Sequence, residues 1–310
     1  MTSSPQSPVA LPPIASDSYG SVEVPEIREP SKAEIFLLEG LRQSRRERLS
    51  RTRRGPRRGR RRAVLTIVHN EPVFLPIWLR YYSRFFAPED IYVLDHDSTD
   101  GSTERDGFVR IPVSHESVDH TWMVRTIEAH QRELLDRYGT VLVTDVDEIV
   151  APRPEHGTLA EYIDRLEEEF VNCVGYEVIH LIDREGPFDP SRGVLDQRGY
   201  WFPNSAYSKP ALTTKPCRWE PGFHLREDGR RAVDPDLCMI HLHRMDYEIC
   251  LERHRYRRGR PWRDVDLEER WASHNLIVDE AEFARWFYED GYLDVEIRVQ
   301  PIPASWRGLF

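Results

Sequence analysis

From residue 63 onward the apolar residues fall into short continuous runs separated by acidic or glycine-containing punctuation. Residues 64–68 (VLTIV), 91–94 (IYVL) and 141–144 (VLVT) are apolar or β-branched throughout. That is the pattern of strands buried on both faces rather than one. A shorter run at 108–113 predicts a further strand. Between these runs the period changes to that of a helix. Pro72 opens one that carries Phe74, Leu75, Trp78, Leu79, Tyr82 and Phe86 at helical spacing. Residues 119–138 predict another, with Met123, Val124, Ile127, Leu134 and Leu135 facing inward and Gly139 ending it. After Val150 the pattern predicts a loop, a helix near 158–170 and a strand at 174–182. Residues 183–235 are rich in Pro, Gly and Arg and show no single period. A strand at 238–242 follows, then helices near 245–258 and 279–289.

This alternation defines an α/β fold: a mostly parallel, Rossmann-like sheet flanked by helices. Parallel strands all end on the same side. Three polar segments are therefore expected along one sheet edge: His69 to Glu71, Asp95 to Asp100 and Asp145 to Glu148. Open α/β sheets bind their ligands at that edge.

The segment after residue 144 carries the most chemistry. Asp145 and Asp147 are two apart, so on an extended chain both point the same way. Two hard oxygen donors side by side suit a divalent cation that also holds phosphate oxygens. Asp-x-Asp recurs at Asp95/Asp97, Asp234/Asp236 and Asp264/Asp266, so the tripeptide alone says little. Context separates the copies: Asp145 closes a buried strand, whereas Asp264 follows Arg260, Pro261, Trp262 and Arg263.

Composition changes the picture at the amino-terminus. Residues 1–30 are rich in Pro and Ser and read as disordered. Ser31 and Glu34 form a capping-box pattern ahead of a helix to about residue 50. Twelve Arg fall between Arg42 and Arg62. Residues 1–62 hold 14 basic and 7 acidic side chains, a net +7, so the overall −10 leaves −17 for the remainder. The arm suits an anionic membrane surface, or serves as a solvated linker. No aromatic residue interleaves with its arginines, so no nucleic-acid partner is expected. Neither a secretory signal nor a run of 18 apolar residues is visible, and a cytoplasmic protein, peripheral at the inner membrane face, is the expectation. The four cysteines, Cys173, Cys217, Cys238 and Cys250, lack Cys-x-x-Cys spacing and read as buried thiols. A zinc site assembled from them and nearby histidines is the alternative.

Three segments in order, TIVHNEPVFLPIWLRYY, YVLDHDSTDGS and VTDVDEIV, resemble the family-2-like glycosyltransferases of GT-A fold. The likeness is nearest to bacterial members with an Asn-Glu motif and an Asp-x-Asp-Glu segment. It covers residues 63–150 well and 200–250 loosely. The resemblance implies transfer of a sugar from a nucleotide-diphosphate donor to a glycan or other hydroxyl acceptor, with Mn²⁺ or Mg²⁺ on the diphosphate. By position it assigns Asn70 and Glu71 to the nucleoside and Asp95 to the base. Asp97, like His96, departs from the usual residue of that loop. Arg125 falls where an arginine approaches the donor. Asp145 and Asp147 match the metal pair, Asp145 being shared with the donor, and His243, or His241, is the third ligand. An inverting enzyme also needs a base for the acceptor hydroxyl. Glu220, His224 and Glu248 are the candidates. Lys209 and Lys215, two of only three lysines, suit the donor diphosphate or an anionic acceptor.

The expected organisation is a disordered segment (1–30), a helix with an Arg-rich arm (31–62), a GT-A domain (63–260) and a helical extension (261–310). The domain divides into a nucleotide-binding half at 63–150 and an acceptor half at 151–260. Two other functions fit the acidic strand end. One is a nucleotidyl- or phosphoryl-transferase, which the lack of a Gly-rich phosphate loop after the first strand disfavours. The other is a non-catalytic nucleotide-sugar-binding protein.

Overall fold

The computed structural model describes residues 25–28, 61–289 and 298–310. The helix expected from Ser31 and the arginine run up to residue 60 lie outside the described residues. The domain starts with β1 (Arg62–Val68), α1 (Phe74–Tyr82), β2 (Ile91–His96), β3 (Val109–Val113), α2 (His120–Leu135) and β4 (Thr140–Val143). β1 pairs in parallel with both β2 and β4, and β2 with β3, giving the order β4-β1-β2-β3. This is the parallel, helix-flanked half expected of the sequence pattern.

The continuous apolar runs have a simple cause. Alternate residues of β1 serve opposite faces. Val64 and Val68 pack with Phe74, Trp78 and Tyr81 of α1, while Ala63, Leu65 and Ile67 pack with Val124, Ile127 and Leu134 of α2. Each buried large aliphatic contributes about 1.5–3 kcal/mol. Asp119 starts α2 by accepting a hydrogen bond from the Trp122 backbone at 2.8 Å, a cap worth about 1 kcal/mol.

The second half of the sheet is mixed. It contains β5 (Glu148–Pro152), α3 (Leu159–Asp164), β6 (Phe170–Val178), α4 (Val194–Gln197), β7 (Tyr200–Pro203), β8 (Pro210–Thr213) and β9 (Val233–His241). β8 runs antiparallel to β4 and β6. β9 runs parallel to β6 and antiparallel to β5. The helices α5 (Tyr247–Arg258), α6 (Asp264–Glu268) and α7 (Glu280–Tyr288) follow, then β10 (Gln300–Pro301), which pairs with β7.

Several boundaries differ from the expectation. The chain stays in a strand past Val150, where a loop was expected, because β9 supplies backbone partners from Glu148 to Pro152. β6 begins four residues earlier than the apolar run suggested. Asn172 breaks that run in the sequence, yet its amide is satisfied by the Ser208 carbonyl at 2.8 Å and the Ala232 N–H at 3.1 Å. α3 stops at Asp164, well short of residue 170. β1 begins at Arg62, whose guanidinium pairs with Asp164 at 3.0 Å, so the arginine run reaches into the domain. Ile27, within the stretch read as disordered, bridges Val299. The start of the expected extension is woven into the domain: Trp262 bridges Val118, and Asp266 accepts hydrogen bonds from the His120 backbone at 2.9 Å and the His120 ring at 2.8 Å.

Candidate functional site

Helix α1 fixes the acidic turn between β4 and β5. Trp78 donates its indole N–H to Thr144 at 2.9 Å, Tyr81 its hydroxyl to the Val150 carbonyl at 3.0 Å, and Tyr82 its hydroxyl to the Glu148 carbonyl at 3.2 Å. The turn carrying Asp145, Asp147 and Glu148 is thus bracketed by three bonds from one buried aromatic row.

At the end of β1, Asn70 adopts a left-handed backbone with φ 52°, a conformation Asn tolerates better than most residues. Its side-chain oxygen accepts from the Thr99 and Asp100 N–H groups at 2.7 and 3.2 Å. Its amide donates to the Tyr256 hydroxyl at 2.5 Å. Asn70 therefore holds the loop after β2. Asp95 holds that loop from within, accepting from the Ser98 backbone at 3.0 Å, Thr103 at 2.9 Å and Arg110 at 2.7 Å. Burial alone would raise its pKa, but these hydrogen bonds outweigh it and hold the carboxyl below the usual range. Asp97, exposed and also left-handed at φ 54°, accepts from Ser114 at 2.9 Å.

The centre of the site is a buried ionic chain. Glu71 accepts from Arg253 at 2.7 Å and Arg257 at 3.2 Å, and Arg253 reaches across to Asp147. Arg253 also lies 4.4 Å over the Phe74 ring. Burial would raise the Asp147 pKa. Arg253, His241 and Arg257 override it and hold the carboxyl far below its ordinary value. Beside this chain, Lys209 is wedged between Asp145 at 2.7 Å and Glu148 at 2.6 Å.

Strand register brings in the next layer. His241 ends β9 opposite Glu148 on β5 and Glu177 on β6. Its Nδ1 contacts Glu177 at 2.8 Å, and its Nε2 lies 3.7 Å from Asp147. The Tyr207 ring stacks on it at 4.0 Å. Burial pushes the His241 pKa down, but Glu177 and Asp147 together raise it above its ordinary value. His243 is buried just beyond, and the ligand atoms of Asp147, His241 and His243 all lie within 4.8 Å of one another. His224 contacts the Ala206 carbonyl through Nδ1 at 2.6 Å. Burial, with Lys209 nearby, pushes its pKa down to about 4.

The strand-end segments thus converge as expected, and Glu71, Asp145, Asp147, Lys209, His224 and His243 share one region. Asn70, Asp95 and Asp97 shape the loop at its rim. Two expected residues pair outside the ionic chain, and Glu220 makes no side-chain contact with it. Arg125 pairs with Glu128 at 2.8 Å and Glu227 at 2.6 Å. Lys215 pairs with Glu169. Glu220 is an exposed residue of the turn before β9. None of these partners belongs to the ionic chain. Pattern reading missed Arg253, Arg257, Tyr256 and Glu177. Glu177 left a signal: it is an acid inside the apolar run VGYEVIHLI. The arginines left none, because arginine is abundant throughout the chain.

No protein-family profile matches the chain, and no curated protein does. Solved structures do match. One is a mannosyltransferase, PcManGT from Pyrobaculum calidifontis, in complex with GDP-Man and Mn²⁺. It is 16% identical with a TM-score of 0.36, covering 67% of this chain and 66% of its own.

Proposed function

We propose that the chain is a glycosyltransferase taking a nucleotide-diphosphate-sugar as donor over the carboxyl ends of β1, β2 and β4, with inversion at the anomeric carbon. The observation that carries this is the orientation of His241. With Nδ1 on Glu177, its Nε2 points toward Asp147, where a metal would take the place of a proton, as in sites where a carboxylate orients a metal-ligating histidine. Asp147, His241 and His243 offer two nitrogens and a carboxylate, a donor set that fits Mn²⁺ and, less closely, the harder Mg²⁺. Asp145, expected as a ligand by its spacing, has its carboxylate on Lys209, and Asp147 has its own on Arg253. The two histidines beside Asp147 put it rather than Asp145 in the proposed set, and a cation there would take the place of the Arg253 contact.

A divalent cation held there supplies charge neutralisation for the departing nucleoside diphosphate. The remaining work falls to the chain's own residues. Asn70 and Asp95 hold the loop that forms the nucleoside wall, with Asp97 at its rim. Arg253, Arg257 and Lys209 place fixed positive charge around the diphosphate position, where it is worth more than in water. His224 takes the acceptor hydroxyl proton at Nε2. Its low pKa leaves that nitrogen unprotonated near neutrality, and its bond to Ala206 fixes the tautomer. Glu220, exposed, is the less suitable base.

A panel of nucleoside diphosphates and nucleotide-sugars, read by thermal shift with Mn²⁺ present, tests the reading. At least one nucleotide should raise the melting temperature in wild type and not in Asp147→Ala. A flat panel, or an unchanged response in Asp147→Ala, would sink it.

A further inference from the structure

Behind the donor-side residues lies a second cluster with different chemistry. Cys250 and His254 are four residues apart on α5, so they share one helix face. His243, in the turn between β9 and α5, faces the same space. All three are buried, at 0%, 2% and 6% exposure. Their ligand atoms lie within 4.8 Å of one another. The His243 and His254 rings meet Nε2 to Nε2 at 2.8 Å, and the Nδ1 of His254 is buried without a hydrogen-bond partner among the described residues. The His274 ring closes the cluster, 5.5 Å from His243 and 5.4 Å from His254, and Trp286 stacks flat on it at 5.0 Å.

We propose that His243, Cys250 and His254 form a buried site for a soft or borderline cation, zinc foremost, with His274 beside the fourth position. One thiolate and two imidazoles suit Zn²⁺, which takes such ligands tetrahedrally, and do not suit Mg²⁺. Two imidazole nitrogens on one zinc stand about 3.3 Å apart, given Zn–N bonds of about 2.0–2.1 Å. The observed 2.8 Å needs to open by only about half an ångström. On binding, the Cys250 proton passes to solvent and an S–Zn bond takes its place.

His243 is common to both sets. Its Nε2 faces His254, so with the inner ion bound the donor-side set of the proposed function is left with Asp147 and His241. The inner ion would tie α5, which carries Arg253 and Arg257, to the turn that carries His243, with the His274 ring packed against both. A metal in this place sets the position of the donor-side arginines without touching the reaction.

The test is metal content, measured without reference to activity. Full-length protein purified without chelator should carry about one equivalent of zinc by plasma mass spectrometry. Cys250→Ser and His254→Gln should lose it, and Asp147→Asn should keep it. Should the Cys250 variant fail to fold, wild-type protein stripped of metal and titrated with Co²⁺ gives an independent reading. A thiolate-to-cobalt charge-transfer band supports the site. Zinc at background level together with no such band on Co²⁺ addition would overturn it, as would full zinc retention in a folded Cys250→Ser.

Discussion

Replacing Arg253 with Met tests whether the ionic chain across the sheet edge holds the domain together. The guanidinium serves two buried carboxylates, Glu71 at 5% and Asp147 at 4% exposure. Methionine keeps much of the volume over Phe74 but supplies no donor. Removing one member of a buried ion pair costs about 3–5 kcal/mol, because the partner is left charged without compensation. At about 2–4 °C per kcal/mol for a domain of this size, the melting temperature should fall by roughly 6–20 °C near neutral pH. The pH dependence is the sharper signature. In wild type the Asp147 carboxyl is held far below its ordinary value. It contributes stability that is complete above the unfolded pKa and is lost as pH falls through the folded one. Without Arg253, only His241 and Arg257 still oppose burial, so that pKa rises from its low value and the folded variant gains less from the charged form. The gap between variant and wild type should therefore be widest near pH 7.5 and shrink toward about pH 4. Thermal melts followed by circular dichroism across that range read both quantities. A loss below about 1 kcal/mol at neutral pH, or a gap independent of pH, would refute the argument.

Three further outcomes are expected. Glu177→Gln keeps the shape of the strand but weakens the orientation of His241, so Mn²⁺ affinity by calorimetry should drop about 10–100-fold with little change in fold; unchanged affinity would remove His241 from the metal set. His224→Ala should lower kcat about 10²–10⁴-fold, and because the wild-type ring stays neutral down to about pH 4, wild-type activity should show no histidine-like fall near pH 6.5; a residual activity close to wild type would reassign the base. Removing residues 1–60, which spares β1 at Arg62, should reduce sedimentation with anionic vesicles, and equal sedimentation would leave the arm as a linker.

The legible parts of this molecule were those where one physical cause dominates. Residues 64–68, 91–94 and 141–144 are covered on both faces, so continuous apolarity marked them without tertiary knowledge. Their polar ends then followed from parallel topology. β5 was hidden because its five residues begin with the last of three closely spaced acids, and only its pairing with β9 makes them a strand. The start of β6 was hidden by Asn172, a polar residue whose partners come from 36 and 60 residues away. At the site, the two histidines read alike in the sequence. Their environments separate them: His241 meets Glu177, and His243 meets His254. Arg253 was invisible for a different reason. Its function depends on two carboxylates more than 100 residues distant, and nothing in its own neighbourhood marks it among so many arginines.

The register of β9 has a consequence for how this protein can be altered. His241 is located from two sides at once, by Glu148 on β5 and Glu177 on β6. A slip of one residue would put Ile240 or Leu242 in its place, so both neighbouring strands resist it. The segment between β8 and β9, residues 214–232, does not set where β9 ends, yet it carries His224 and the buried Trp219 and Phe223. Only its exposed tip, residues 228–231, can change in length and composition while His224 and His241 both stay where they are.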